Sequence, residues 1–471
     1  MSLSQQDNAN SSCCIETAEG FPDLISLHQS NPERYPFLLE SVAQGSTEAR
    51  YDILFAFPQG SLVLDNQNQL ASGSIETDGH DFLANLDKWW LQCHDTAEKT
   101  NALTRQKLDL PFQGGWFIYL AYELAGQIEP VLNLPLTDDV IAYAVRIPSA
   151  IIRDHVTQRC WIMCETTSQD KMSLMRDDIA NLTATNTEPA LNLLDDISEE
   201  EGANYIEAVE KIRRYIVEGD VFQVNLSRQW TATLNPAVSD GDLYRSLREN
   251  NPAPFSGIAN YAGRSIISSS PERLVSVRNG CVEARPIAGT RPRGGELEAD
   301  RALSVELLAH PKERAEHIML IDLERNDLGR VCKPGSINVN ELMVLESYAH
   351  VHHIVSNIRG QLRENTSPGD IIRAVFPGGT ITGCPKVRCM EIIAELEKTS
   401  RGAYTGSMGY LNRNGDMDLN ILIRTMTRQN NELQLCAGAG IVADSIADNE
   451  LEETRAKAKG LLKALGVSSL I

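Results

Sequence analysis

The sequence predicts an α+β chain built on antiparallel sheets, and three observations lead there. Strand-like runs such as Tyr51–Phe57 (YDILFAF) and Ala142–Ile152 are interleaved with helical patterns. Several of those strands lack the helical crossover that a parallel sheet requires. With 471 residues, 42% of them apolar, the chain can bury one large core or two to three ordinary ones.

The elements justify this in order. Met1 to Gly20 is polar, without a basic or apolar stretch, so it reads as no secretory signal and its first ~15 residues as a loose tail. The segment 114–126, GGWFIYLAYELAG, is apolar throughout. Asn186 to Asn204 is acidic and free of aromatic residues, and reads as a linker or surface crossing between an N-terminal half, 1–185, and a C-terminal half, 200–471. Tyr205–Glu218 has apolar residues at helical spacing, Gly219-Asp220 breaks it, and Val221–Trp230 alternates like a strand. A second good helix runs over Val387–Glu397.

Composition narrows the function. A formal net charge of −21 argues against nucleic acid as a partner. No apolar run is long enough to cross a bilayer. Ten scattered cysteines without a disulfide framework fit reduced thiols, and a cytoplasmic location is expected.

Several segments can carry chemistry. Glu313 and Glu316 would share one helix face, as would Glu450, Glu453 and Lys457. Two such faces across a cleft would supply the hard oxygens that Mg²⁺ prefers, while spacing alone favours two solvated helix faces, with Glu453 and Lys457 as an ordinary i,i+4 pair. The glycine-rich Pro377–Lys386 precedes a helix whose loose N–H groups, with Lys386 nearby, suit a carboxylate, or simply cap the helix. Gly438-Ala439-Gly440 permits close approach of a flat ligand, or a bulge. Arg424 follows an apolar stretch and calls for a carboxylate partner, from a ligand or from this chain. Among His350, His352 and His353, a zinc site lacks a third ligand, and His353 is expected as a neutral hydrogen-bonding group. Pro286–Gly294, PIAGTRPRG, reads as a shaped loop near anions or a structural turn.

Taken together these stretches resemble the chorismate-utilising enzymes. The matching pieces are Ser270-Pro-Glu272-Arg273, PIAGTRPRG, EHIMLIDLERNDLGRV, HHIVS, FPGGTITGCPKVRCMEII, GSMGYL, MDLNILIRT, GAGIVADS and ELEETRAKA, over roughly Tyr205 to Gly460. The resemblance implies one large α+β unit, two antiparallel sheets packed as a sandwich with helices outside. It implies Mg²⁺ on Glu316 and Glu453, with Glu313 and Glu450 beside them. It places Gly289, Lys386, Tyr410, Arg424, Ala439, Gly440 and Lys457 around the substrate, and Thr290 and His353 against its ring. Glu272 matches the general acid that helps the 4-hydroxyl of chorismate leave, which fits the need to protonate a poor leaving group.

The resemblance also bears on the nucleophile. Gln223 stands where isochorismate and salicylate synthases carry a lysine that activates water, so ammonia is expected instead. That leaves a folate group making 4-amino-4-deoxychorismate and a tryptophan group making anthranilate. Asn251-Pro-Ala-Pro254-Phe255-Ser256, the loop Pro377–Gly383, Arg50-Tyr51 and Met417-Asp-Leu-Asn-Ile look like the folate group's forms. Ala288 departs from the lysine common in that group and counts towards the anthranilate alternative. The chain resembles no glutaminase, so a separate glutamine amidotransferase subunit is expected to supply ammonia. Ser41, Arg50, Tyr51, Pro254, Phe255 and Ser256 resemble the family's amino-acid pocket, whose guest by the resemblance is tryptophan, or are ordinary helix-end packing.

Overall fold

A computed structural model describes residues 13–43, 49–94, 110–182, 193–293, 305–307, 309, 311–347 and 351–467. Among these, two antiparallel sheets carry the chain. The first has 12 strands, in the order Cys13–Ala18, Arg159–Glu165, Ser149–Asp154, Tyr51–Ala56, Phe37–Glu40, Phe255–Tyr261, Arg264–Ser270, Thr425–Gln429, Glu432–Ile441, Gln223–Leu234 and Leu194–Glu199, with the short Gly383–Cys384 against the start of Gln223–Leu234. The second has 11, in the order Ile287–Pro292, Val351–Gln361, Cys281–Ala284, Arg273–Arg278, Met417–Asn420, Ser407–Asn412, Gly115–Leu120, Ala142–Ile147, Ser61–Leu64 and Leu70–Ser72, with Asn338–Ser347 on the free side of Val351–Gln361. In each sheet a block of strands from before residue 193 joins a block from after it, at Phe37–Glu40 beside Phe255–Tyr261 and at Gly115–Leu120 beside Ser407–Asn412, so the two halves of the sequence share one pair of layers.

The sheets meet through aromatic residues. Phe37 and Phe55 of the first pack on Phe117 and Tyr143 of the second, the Phe37 and Phe117 rings stacked 4.1 Å apart. Offset stacking of buried rings adds to the area they remove from water. Helices cover the outer faces. Ala447–Ala464 lies on Glu432–Ile441 with Gly202–Glu218 and Asp240–Asn250 beside it. On the other sheet the helices Phe82–Cys93, Pro311–Gly329 and Pro368–Val375 bury Leu86, Ile321 and Ile372. None of the described helices is long and apolar enough to cross a membrane.

Local signals explain most element ends. Gly219 closes the helix Gly202–Glu218 in the left-handed region at φ 88°, which glycine adopts without steric cost. Pro148 splits the run Ala142–Ile152 into two strands, one in each sheet. Two expectations change. Cys13 and Cys14 belong to a buried edge strand rather than a loose tail, pairing with Glu165 and Cys164, and all ten cysteines are free. In the acidic stretch, Leu194–Glu199 forms the other edge strand of the first sheet, because Leu194 and Ile197 still pack on the core and Glu199 pairs with the buried Arg228, while Asp195 and Asp196 face water.

Candidate active site

Two of the crossings between the sheets converge on one cleft. The chain leaves the first sheet at Ser270 and enters the second at Arg273, so Glu272 sits in the crossing. It returns from Asn420 to Thr425, with Arg424 in that crossing. Backbone bonds tie the two together. The Ile421 N–H donates to the Glu272 carbonyl at 3.0 Å, and the Ser269 N–H to the Arg424 carbonyl at 3.1 Å. Arg424 holds φ at 51°, a conformation that costs a non-glycine residue energy and clusters at functional sites.

Glu272 is 5% exposed, and its Oε1 is buried with no hydrogen-bond partner among the described residues. The buried Thr380 hydroxyl lies beside the Glu272 carboxyl. Burial pushes the Glu272 carboxyl up to about 7, against the opposing pull of Thr380, the Ile287 N–H, Arg424 and Lys457. A carboxyl near neutrality is half protonated at working pH, which is what a proton donor needs. Arg424 makes no side-chain hydrogen bond or ion pair among the described residues; burial lowers its affinity for its proton while Glu272 acts the other way. An uncompensated guanidinium facing a cleft is a carboxylate receptor.

His353 lies 2% exposed on the strand Val351–Gln361, opposite Thr290 in register. Burial, and then Arg424, hold its imidazole down at about 3, so it is neutral and can only donate or accept hydrogen bonds. The Ile287–Pro292 strand bulges between Ala288 and Thr290. Gly289, at φ 67°, makes that bulge possible, and a Cβ there would stand 2.8 Å from the Glu313 carboxylate. The Thr290 side chain and His350 lie outside the described parts.

Lys457 reaches down from the helix Ala447–Ala464 to the Gly438 carbonyl at 2.9 Å and pairs with Glu453 at 2.8 Å. Glu450 and Glu453 lie on this helix, Glu313 and Glu316 on Pro311–Gly329. His317 pins the second helix to its sheet, its Nε2 2.7 Å from the Ser356 hydroxyl. Among the described residues no three His, Cys, Asp or Glu side chains converge into a closed metal cage. The four glutamates still fit Mg²⁺ in kind, since it takes one or two carboxylates and keeps water and substrate oxygens for the rest.

Three expected substrate residues face elsewhere. Tyr410 lines the other cavity, because alternation along Ser407–Asn412 turns it towards Phe55 and Phe112. Lys386 is paired to Asp327 at 2.5 Å and also reaches the Val375 carbonyl, so it holds the glycine-rich loop to the helix Pro311–Gly329. The Ala439 side chain packs under the helices with Val224, Leu226 and Ile441, leaving only its backbone for the cleft side. The sequence reading missed Thr380, although the loop carrying it was quoted. It also missed Tyr404, whose hydroxyl lies 2.8 Å from where a Cβ on Gly438 would stand. In Arg401–Tyr404 nothing but the tyrosine itself signals this.

The six expected pocket residues do come together. Ser41, Arg50, Tyr51, Pro254, Phe255 and Ser256 line a cavity of about 300 Å³ between the sheets, apart from the Glu272 cleft.

Comparison with known proteins gives the family of this two-sheet chain. Residues 36–463 match the family model for chorismate binding enzymes, and the chain belongs to that family. It is 43% identical over 362 residues to an anthranilate synthase component I-like protein of Synechocystis, covering 76% of this chain and 73% of that one. It is also 43% identical over 371 residues to aminodeoxychorismate synthase component 1 of Bacillus subtilis, covering 76% and 78%. The solved anthranilate synthase component I of Streptococcus pneumoniae superposes with a TM-score of 0.77 at 33% identity, covering 88% of this chain and 93% of that one.

Proposed function

We propose that this enzyme aminates chorismate with ammonia, forming 4-amino-4-deoxychorismate, with the ammonia supplied by a glutamine amidotransferase partner. The observation that carries the amination reading is a buried Glu272 Oε1 beside the Arg424 guanidinium, neither with a hydrogen-bond or ion-pair partner among the described residues. Arg424 and Lys457 bind the substrate carboxylates. Glu272 donates its proton to the departing hydroxyl, which leaves as water. Neutral His353 hydrogen-bonds the substrate without adding charge beside the developing cation. Mg²⁺, bound through Glu316 and Glu453 with Glu313 and Glu450 beside them, would supply Lewis-acid pull on a carboxylate. The component 1 names of the relatives support a second subunit.

The sequence forms at Pro254–Ser256 and Pro377–Gly383 favour the folate product. Ala288 favours a second reading, anthranilate synthase component I: it is 8% exposed, and its methyl offers no amine to attack a ring. One assay separates them. Purified protein is mixed with chorismate, Mg²⁺ and excess ammonium, with and without aminodeoxychorismate lyase, and products are read by mass detection. 4-Aminobenzoate appearing only with the lyase supports the first reading. Fluorescent anthranilate without lyase supports the second. Turnover unaffected by a chelator removes Mg²⁺ from both.

A further inference from the structure

The inner face of the strand Gln223–Leu234 carries two side chains that the proposed chemistry has not used as a pair. Gln223 and Asn225 are two residues apart and so point to the same face, about 6.6 Å from one another along the strand. Gln223 Oε1 and Asn225 Oδ1 are both buried, and neither has a hydrogen-bond partner among the described residues. A buried carbonyl oxygen without a donor is costly, and two in a row mark a place where a donor belongs.

Their surroundings tie them to the cleft. Asn225 Oδ1 and the Tyr404 hydroxyl each lie 2.8 Å from the Cβ position of Gly438, whose carbonyl holds Lys457. The Gln223 carboxamide covers Gly440, its Nε2 2.2 Å from the Cβ position there, so any side chain at 440 would evict it. The Asn225 N–H donates to Thr382, in the loop that brings Thr380 to Glu272. On the other side of Tyr404 a polar cleft of about 190 Å³ opens outward. Tyr404, Cys436, Asp138 and Gln434 are among its lining residues. Cys436, Gly438 and Gly440 alternate along one strand and share its inner face.

We propose that ammonia enters through this polar cleft and is held successively by Asn225 Oδ1 and Gln223 Oε1 on its way to the substrate ring. The proposal rests on the amination reading above. Ammonia suits the site because it brings three N–H donors to acceptors that have none, and keeps its lone pair free. That lone pair forms the carbon–nitrogen bond as the ring carbon–oxygen bond breaks. The hydroxyl leaves as water with the proton from Glu272, and the proton shed by the new ammonium group returns to the Glu272 carboxylate. The acidic Asp138 at the mouth favours ammonium over anions.

The test is steady-state turnover of chorismate by the full chain with ammonium as varied substrate. Asn225→Leu and Gln223→Met should each raise the KM for ammonium by about tenfold, the worth of one hydrogen bond, with the KM for chorismate unchanged. Asn225→Asp, which keeps an acceptor, should stay close to wild type. Gln434→Trp, which fills the outer cleft, should raise the ammonium KM alone. If Asn225→Leu and Gln223→Met both keep the wild-type ammonium KM, the holding site is wrong. If only Gln434→Trp is without effect, the entry side is wrong. Should Asn225→Leu fail to fold by circular dichroism, Gln223→Met carries the test by itself. Wild-type protein that consumes no chorismate with ammonium would instead overturn the amination reading, which the variants cannot do.

Discussion

Two regions of this molecule bury charge, and they treat it in opposite ways. Around the cavity that holds Ser41, charges are matched. Asp52 is 1% exposed and accepts from the Arg153 guanidinium at 2.6 Å, the His155 ring at 2.7 Å and the Ser41 N–H at 2.8 Å. Glu40, 3% exposed, faces Arg153 at 3.5 Å and Arg248 at 3.3 Å. Arg50 is bidentate to Asp154. In the cleft, by contrast, Glu272 Oε1 and the Arg424 guanidinium have no hydrogen-bond or ion-pair partner among the described residues. A matched network specifies a shape. An unmatched one stores desolvation cost until a ligand relieves it, so the difference supports placing the proposed chemistry in the cleft.

The sharpest way to break this comparison is at Glu272. Glu272→Gln keeps the size and removes the proton donor, so turnover should fall by ~10²–10⁴-fold with chorismate binding by calorimetry near normal. Unchanged turnover would remove Glu272 from the acid role. At the matched network the expected loss is of stability instead. Arg153→Met strands Asp52 and part of Glu40, and should cost ~3–5 kcal/mol in urea unfolding. A variant as stable as wild type would mean those acids find water or protons at little cost. Arg424→Gln should do the reverse: KM for chorismate up by ~10–100-fold, the worth of a charged hydrogen bond, with stability equal or higher. Lost stability without lost binding would place Arg424 in the framework.

The contrast also explains what could be read from the chain alone. The antiparallel α+β class was legible because alternation and turn glycines act locally, as Gly219 does at its helix end. Glu272 and Arg424 stood out in the sequence only through their ordered motif context. The orientation of Tyr410 was not, because which face of Ser407–Asn412 points into which cavity depends on sheets assembled from both halves. Lys386 was misjudged for a related reason. Its partner Asp327 lies 59 residues away, and only packing of the glycine-rich loop on the helix Pro311–Gly329 brings them to 2.5 Å. The edge strand Leu194–Glu199 was hidden by acids that face solvent while two apolar residues do the packing.

The subtlest test of the comparison is the pH dependence of stability. An exposed glutamate titrates near 4.5, whereas burial pushes the Glu272 carboxyl up to about 7. The folded state therefore binds more protons than the unfolded state between those values. Stability from this group is complete below about 4.5 and is lost as pH rises through about 7, after which the loss levels off. Glutamine at 272 cannot ionise, so Glu272→Gln should melt higher than wild type at pH 8 and close to it at pH 5, a gap of a few kcal/mol at most. The same ionisation gives the rate its alkaline limb. Wild-type kcat/KM should fall above about 7, and the residual activity of the variant should show no such fall. Identical pH profiles of melting temperature in the two proteins would mean that Glu272 is not a strained acid at all, and the unmatched cleft would then lose its distinction from the matched network across the sheet.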